Sequence, residues 1–530
     1  MPVVDKLVDK GFLVSPDLHI DEKIIDSFIE YLDSLEQKPF IIKQEDYDKF
    51  QKQAGEDTKT TEATEEDKDN PGTTEEDKDN PGATKQVEKT GDNKSGSETK
   101  TPDVQIHPKI QRREKIDTNV RIKKNYVPEN RKLETRDWVN YYFDRYDRLT
   151  KILQNRQELQ GSMSINRVLK TDGRQRVAII GMVRDIQKTF TGITILTVED
   201  PTATVKVILK NSKVAELAGE IVYDEVLGVV GVKSNDAIFA DNLIFPDVPD
   251  RPLKKGEDEV YSAFISDVHV GSNMFLPKEL NKFTDWLKGK VGNKKQRDIA
   301  SKVRYLFVTG DLVDGVGIYP NQEKELIIPD IYSQYKAFYK YFADIPDDIH
   351  IIVAPGNHDA LRLAEPQHCL FKDIAKPIYD LPNVRSVSNP AMVNIHNTGN
   401  FPGYDVLMYH GYSLDYYAAN VPALRKTGYD RADLLMKFLL KKRHIAPAHG
   451  STLVNPMPQD FLLIDQLPDI FTTAHIHKSK VGRYKNILNI ASSCFQGKTS
   501  FQEKVGHHPE PARVPVVNLK SNEVKIMRFG

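Results

Sequence analysis

Five short runs in this 530-residue chain bring carboxylate, imidazole and amide groups close together: Asp267-Val268-His269, Gly310-Asp311-Leu312-Val313-Asp314, Gly356-Asn357-His358-Asp359, His410-Gly411 and His475-Ile476-His477. Carboxylates and imidazoles gathered at such density repel or desolvate one another unless a cation sits among them. Asp, Asn and His supply hard oxygen and borderline nitrogen donors, which suit Mn, Fe, Zn or Ni better than Ca alone. Seven donors exceed what a single tetrahedral ion takes, whereas two ions sharing a bridging carboxylate use about that number. Two ions roughly 3.5–4 Å apart can clamp a phosphate, generate a hydroxide and stabilise an in-line displacement.

Groups so distant along the chain need a scaffold that brings them together. The first four runs follow the apolar segments YSAFIS, YLFVT, IHIIVA and DVLMY, and the fifth follows FTTA. Continuous apolar strands alternating with helical stretches, from about 258 to the end, predict a sheet covered on both faces. Ligands collect at the carboxyl ends of such strands, so all five runs should converge. Asp359 is expected to satisfy backbone donors at its turn, and Cys494 to be a buried small residue. His350, His368, His396, His444, His507 and His508 lack a comparable setting and read as surface or packing residues.

Upstream, residues 160–248 read as five short β-branched strands, with a helix at Ser212–Gly219 between the third and fourth. That order predicts an OB-type barrel. Its few scattered aromatics (Phe190, Phe239, Phe245) favour a structural or protein-binding barrel over a nucleic-acid reader. Residues 136–156 predict an amphipathic helix. The stretch before it, 109–132, carries nine basic and three acidic residues, a net of +6, and reads either as a contact for nucleic-acid phosphates or as a strap on a partner protein.

Residues 51–100 hold 14 acidic and 8 basic residues, no aromatics, and the segment TEEDKDNPG twice, at 64–72 and 74–82. So polar a stretch predicts a disordered acidic linker. Residues 1–46 predict a helical module, with Asp21 as N-cap and Ile24, Ile25, Phe28, Ile29, Leu32 and Leu35 at helical spacing. The near-neutral total of −2 hides this asymmetry. Two cysteines far apart, Cys369 and Cys494, exclude a disulfide framework and a cysteine zinc site as organising principles, and suit a reducing, intracellular compartment. The opening MPVVDKLVDKGFLV lacks the apolar core of a signal peptide, and no apolar run reaches the roughly 18 residues of a membrane span.

The D-x-H, G-D-x-x-D, G-N-H-D, H-G and H-x-H series, in that order, resembles the calcineurin-like metallophosphoesterase superfamily over roughly 258–530. With the barrel before it and a helical module and linker ahead, the chain resembles the small subunits of archaeal family D DNA polymerases over about 160–530. The fold this implies is a mixed α/β multidomain one: an OB-type barrel followed by a two-sheet αββα metallophosphoesterase domain. The plan becomes a helical module at 1–46, a linker at 47–105, a basic strap and helix at 106–159, the barrel at 160–250 and the phosphoesterase (exonuclease) domain at 256–530. The resemblance implies that Asp267, His269 and His477 hold one metal, that Asp311 bridges, and that Asn357, His410 and His475 hold the second. His358 would protonate the leaving oxygen and Asp314 would orient its imidazole. In the fifth motif Ala474 stands where the family has glycine, and His449 is a rival to His410 that lacks a preceding strand.

The implied activity is a proofreading 3′→5′ exodeoxyribonuclease on single-stranded DNA, within a heterodimeric replicative polymerase whose catalytic large subunit this chain would also scaffold. The implied metals are two divalent ions, Mn2+ first, with Mg2+, Fe2+, Zn2+ or Ni2+ as alternatives. Implied partners are the large subunit, the primer 3′ end, and a sliding clamp or other replication factors, with no membrane and a cytoplasmic, nucleoid-associated location. The alternatives are a catalytically silent scaffold subunit and a stand-alone metal-dependent phosphodiesterase or protein phosphatase.

Overall fold

The computed structural model describes Leu7 and residues 13–14, 20–35, 41–42, 44–57, 116, 118–399, 401–504 and 506–530. These fall into two compact units, Met1–Asp103 and Val104–Gly530. In the first, strands β1 (Leu13–Val14) and β2 (Ile41–Ile42) pair in parallel beside helices α1 (Ile25–Ser34) and α2 (Gln44–Asp57). The Asp21 carboxylate accepts a hydrogen bond from the Lys23 amide (3.0 Å) and caps the turn that leads into α1. Ile25, Phe28, Ile29 and Leu32 form the buried stripe of α1. The rings of Tyr47 and Phe50 lie 5.2 and 5.3 Å from that of Phe28. The helix that begins at Gln44 crosses the boundary read at residue 46. Helix α2 runs on to Asp57, because Tyr47 and Phe50, three apart, bury one face of it on α1. The repeated acidic segment lies outside the described residues.

In the second unit, five residues of the basic strap form strand β3 (Val120–Lys124), which pairs antiparallel with β13 (Ala391–Ile395). This segment therefore lies on its own chain, supplying backbone partners to an otherwise open sheet edge. Lys123 pairs with Asp405 (2.9 Å), and Lys124 donates to the Leu463 carbonyl (2.8 Å). Helix α3 (Thr135–Gln154) follows, opened by a reciprocal capping box between Glu134 and Asp137.

Strands β4 (Gln175–Lys188), β5 (Thr194–Asp200), β6 (Ala203–Leu209), β7 (Val226–Ser234) and β8 (Ala237–Ile244) close into a barrel in the order β4-β5-β6-β8-β7. Helix α4 (Ser212–Leu217) sits between β6 and β7. Inward residues alternate along the strands, as in Val205, Val207 and Leu209.

The remainder is four-layered. One six-stranded sheet runs β12 (Val384–Ser386), β11 (His350–Ala354), β10 (Val303–Thr309), β9 (Tyr261–Ile265), β18 (Arg513–Asn518), β19 (Val524–Arg528). The other runs β16 (Lys480–Tyr484), β17 (Ile487–Ala491), β15 (Ile470–Thr473), β14 (Tyr404–Met408), β13, β3. Phe264, Phe307 and Ile352 of the first sheet interlock with Val393, Val406 and Ile490 of the second. Helices α5 (Pro277–Leu287) and α6 (Ile331–Phe342) cover the outer face of the first sheet. Helices α7 (Leu414–Asn420) and α8 (Ala432–Lys442) cover that of the second. Strands β9, β10 and β11 are parallel and buried on both faces, which explains their unbroken apolar runs.

Candidate metal centre

The loops leaving β9, β10, β11, β14 and β15 meet at one end of the two sheets and carry all nine residues singled out by spacing. His269 Nε2 and His477 Nε2 face each other at 3.2 Å, with Asp267 Oδ1 3.4 Å from the latter. His410 Nε2 lies 2.9 Å from Asn357 Oδ1 and 3.2 Å from Asp311 Oδ2, and the same Asp311 oxygen is 3.8 Å from His269 Nε2. Three overlapping sets have donor atoms within 4.8 Å of one another: Asp267, His269, His477; His269, Asp311, His358; and Asp311, His410, His475. Asp311 and His269 each belong to two of them.

The backbone is bent to achieve this. Asp267, His269, Asp311, His475 and His477 all have positive φ, between 48° and 69°. Non-glycine residues in that region are costly and persist where the surrounding structure holds them. Two glycines make room. A Cβ on Gly356 would lie 2.2 Å from Asp311 Oδ1, and one on Gly310 would lie 2.3 Å from His410 Nδ1.

Outer contacts aim the imidazoles. His410 Nδ1 donates to the Thr309 carbonyl (2.9 Å) and His269 Nδ1 to the Asp314 carboxylate (3.0 Å), so both turn Nε2 inward. Asp415 Oδ2, in the first turn of α7, takes His475 Nε2 at 2.9 Å, leaving Nδ1 for the centre. Gln502 lies 2.9 Å from His477 Nδ1, and Gln496 and Gln322 both donate to Asp314. Asp314 holds His358 by its backbone carbonyl (2.8 Å to Nδ1), while its carboxylate is committed to His269.

The electrostatics fit a cation. Burial opposes charge on His410, yet Asp311, with Asp267 beyond it, pushes its pKa up to about 10. Burial opposes charge on Asp311 too, but His410, His358 and His269 hold it well below the ordinary carboxylate range. The carboxylates thus recruit positive charge from imidazoles, a role divalent ions would take. Asp267, His269, His477 and Asp311 could hold one ion, and Asp311, Asn357, His410 and His475 a second.

His449 stands apart from this centre. Its Nδ1 meets the Tyr142 hydroxyl (2.7 Å) and its ring packs on Trp138 of α3. Asp359 accepts from the Gly356 amide (2.9 Å) and the Tyr335 hydroxyl (3.0 Å). Cys494 is buried, as expected, with its thiol toward the Gln496 carbonyl (3.2 Å). His507, read from sequence as ordinary, lines the cleft beside Tyr429. Asp415 was also missed. Its only sequence signal is its place five residues after His410, at the start of a helix. The cleft above the centre has a volume of about 280 Å³.

The donor cluster at the carboxyl ends of two stacked sheets marks a domain of the calcineurin-like phosphoesterase type, and the family model "Calcineurin-like phosphoesterase" matches residues 262–479. The "DNA polymerase II small subunit" of Methanothermobacter thermautotrophicus is 40% identical over 400 residues, 75% of this chain and 80% of that one. That of Archaeoglobus fulgidus is 37% identical over 395 residues (74% and 77%), and that of Methanocaldococcus jannaschii 37% over 388 (72% and 64%). The chain belongs to the family of DNA polymerase II small subunits, those of archaeal family D DNA polymerases.

Proposed function

We propose that this chain is a metal-dependent 3′→5′ exodeoxyribonuclease that trims single-stranded primer ends for a replicative DNA polymerase. The observation that supports it is the complete, overlapping donor set centred on Asp311. Divalent ions held there, Mn2+ foremost, would supply the charge that grips a phosphodiester and the acidity that makes water a nucleophile. The chain's own residues do the rest. Asp314 and Asp415 fix His269 and His475. His358, its Nδ1–H held by the Asp314 carbonyl, presents Nε2 to the cleft and, as the imidazolium beside Asp311, hands the Nε2 proton to the departing 3′ oxygen.

The strand order of the barrel, with its helix between third and fourth strands, supports an OB-type domain at 160–250, ahead of an exonuclease domain at 256–530. In this reading the chain works inside the cell, bound to the catalytic large subunit that the names of its relatives imply, with a sliding clamp or other replication factors as further partners. A silent scaffold would have had no reason to retain every donor. A stand-alone phosphodiesterase does not account for the family.

The test is incubation with Mn2+ and 5′-labelled single-stranded DNA, alone and with the large subunit. Stepwise shortening from the 3′ end, lost in Asp311→Asn, is expected. Absence of metal-dependent shortening under both conditions overturns the proposal.

A further inference from the structure

Two tyrosines in the cleft belong neither to the donor set nor to any of the hydrophobic cores. The ring of Tyr412 lies 5.4 Å from that of His475, and the ring of Tyr319 lies 6.5 Å from that of His358. Both are half-buried and line the cleft wall. Among the described residues that line the cleft, none is Lys or Arg. Beyond its imidazoles and carboxylates, the cleft offers ring faces, amides and hydroxyls, and no lysine or arginine for phosphates.

Both rings are held in place by their surroundings. Tyr412 follows Gly411, whose φ of 120° turns the chain off β14 towards His475. The same turn is pinned by Ser413, whose amide donates to the Tyr409 hydroxyl (2.9 Å) and whose hydroxyl donates to the Ile445 carbonyl (2.6 Å). Tyr319 rides on a loop stapled by the buried Gln322. The Gln322 amide oxygen takes the Ile318 amide (2.9 Å) and its NH2 group donates to the Asp314 carbonyl (2.8 Å). The Tyr319 hydroxyl donates to Glu325 (3.0 Å), which fixes the ring. Rings pre-set on either side of a phosphate site lose little freedom when something stacks on them.

We propose that Tyr412 and Tyr319 form a nucleobase subsite, stacking on the unpaired bases that flank the bound phosphodiester. This rests on the nuclease reading above and deepens it: the site selects single-stranded ends because a base within a duplex has its faces covered by its stacked neighbours. Stacking is tolerant of base identity, so all four bases should be accepted.

The test uses the full-length chain and two fluorescein-labelled oligothymidylates, one natural and one abasic at its last two 3′ positions. Affinity is read by anisotropy in Ca2+ and cleavage in Mn2+. The wild-type chain should bind the natural oligomer about tenfold or more tighter than the abasic one. Tyr412→Leu and Tyr319→Leu, which keep apolar bulk without a ring, should each shrink that ratio, and Tyr412→Phe should restore it. Retention of the full ratio in both leucine variants, or no ratio in the wild type, overturns the subsite. If the ratio follows the rings but no DNA is cleaved, the subsite stands and the nuclease reading falls. Cleavage with a ratio indifferent to both rings has the opposite meaning.

Discussion

Two buried clusters in this molecule are built from the same residue types and behave oppositely. At the joint between α3 and the phosphoesterase layers, Arg145 Nε donates to Asp460 Oδ2 (2.7 Å), its other nitrogens reach the Pro447 carbonyl and the Tyr141 hydroxyl, and His444 Nε2 donates to the same Asp460 oxygen (2.7 Å). The Ala446 amide donates to His444 Nδ1 (2.9 Å) and the Leu462 amide to Asp460 Oδ1 (3.0 Å). Every polar atom has its partner and the arginine supplies the positive charge. At the candidate metal centre no arginine enters among the described residues, the carboxylates rely on imidazoles, several backbones are held at positive φ, and a cleft opens above. Buried histidines and aspartates alone therefore do not mark a site. A built-in cation with full hydrogen bonding makes a lock, and a shortfall of positive charge under an open cleft makes a receptor for ions.

The sharpest separation is expected from His358→Ala, which should lower kcat for Mn2+-dependent cleavage by about 100- to 10,000-fold while calorimetry still registers ion binding. Loss of ion binding would instead make His358 a ligand. In the lock, Asp460→Ala leaves Arg145 buried and unpaired and should cost about 3–5 kcal/mol in urea unfolding. A fall in cleavage without a fall in stability would break the division between the two clusters.

The lock should also titrate. Burial, and then Arg145, lower the His444 pKa to about 4 against Asp460, from 6.5. Between those values the unfolded chain binds the extra proton. Its contribution is therefore fully present above pH 6.5 and is lost as pH falls towards 4, by roughly 3 kcal/mol. His444→Gln should flatten the dependence of urea stability on pH in that window, whatever its baseline. An unchanged slope would show that another group titrates. The smallest effect is expected at the edge of the metal centre, where Asp415→Ala should weaken Mn2+ binding about 10- to 100-fold by freeing the His475 ring. Unaltered affinity in a calorimetric titration would remove Asp415 from the centre's support.

The donors were legible because each motif ends a strand whose apolar run is itself legible. Tyr47 and Phe50 were not recognised as core because the residues after them are so polar. Strand β3 was hidden by its lysines and arginines, which read as a contact for other molecules although the structure gives Lys123 and Lys124 partners within the chain. His410 and His449 could be ranked by the strand before one of them. The packing of His449 on Trp138 came from a helix some 300 residues away in the chain.

Local order along the polymer therefore determined which groups could do chemistry and which strands would carry them, since strand periodicity and turn residues act over a few neighbours. Only the folded molecule decided that the Asp314 carboxylate serves His269 and its carbonyl His358, that Asp415 steadies His475, and that two tyrosines frame the cleft. Those contacts join segments whose separation in sequence carries no information about their separation in space, which strand pairing within each sheet and the packing of one sheet on the other set together.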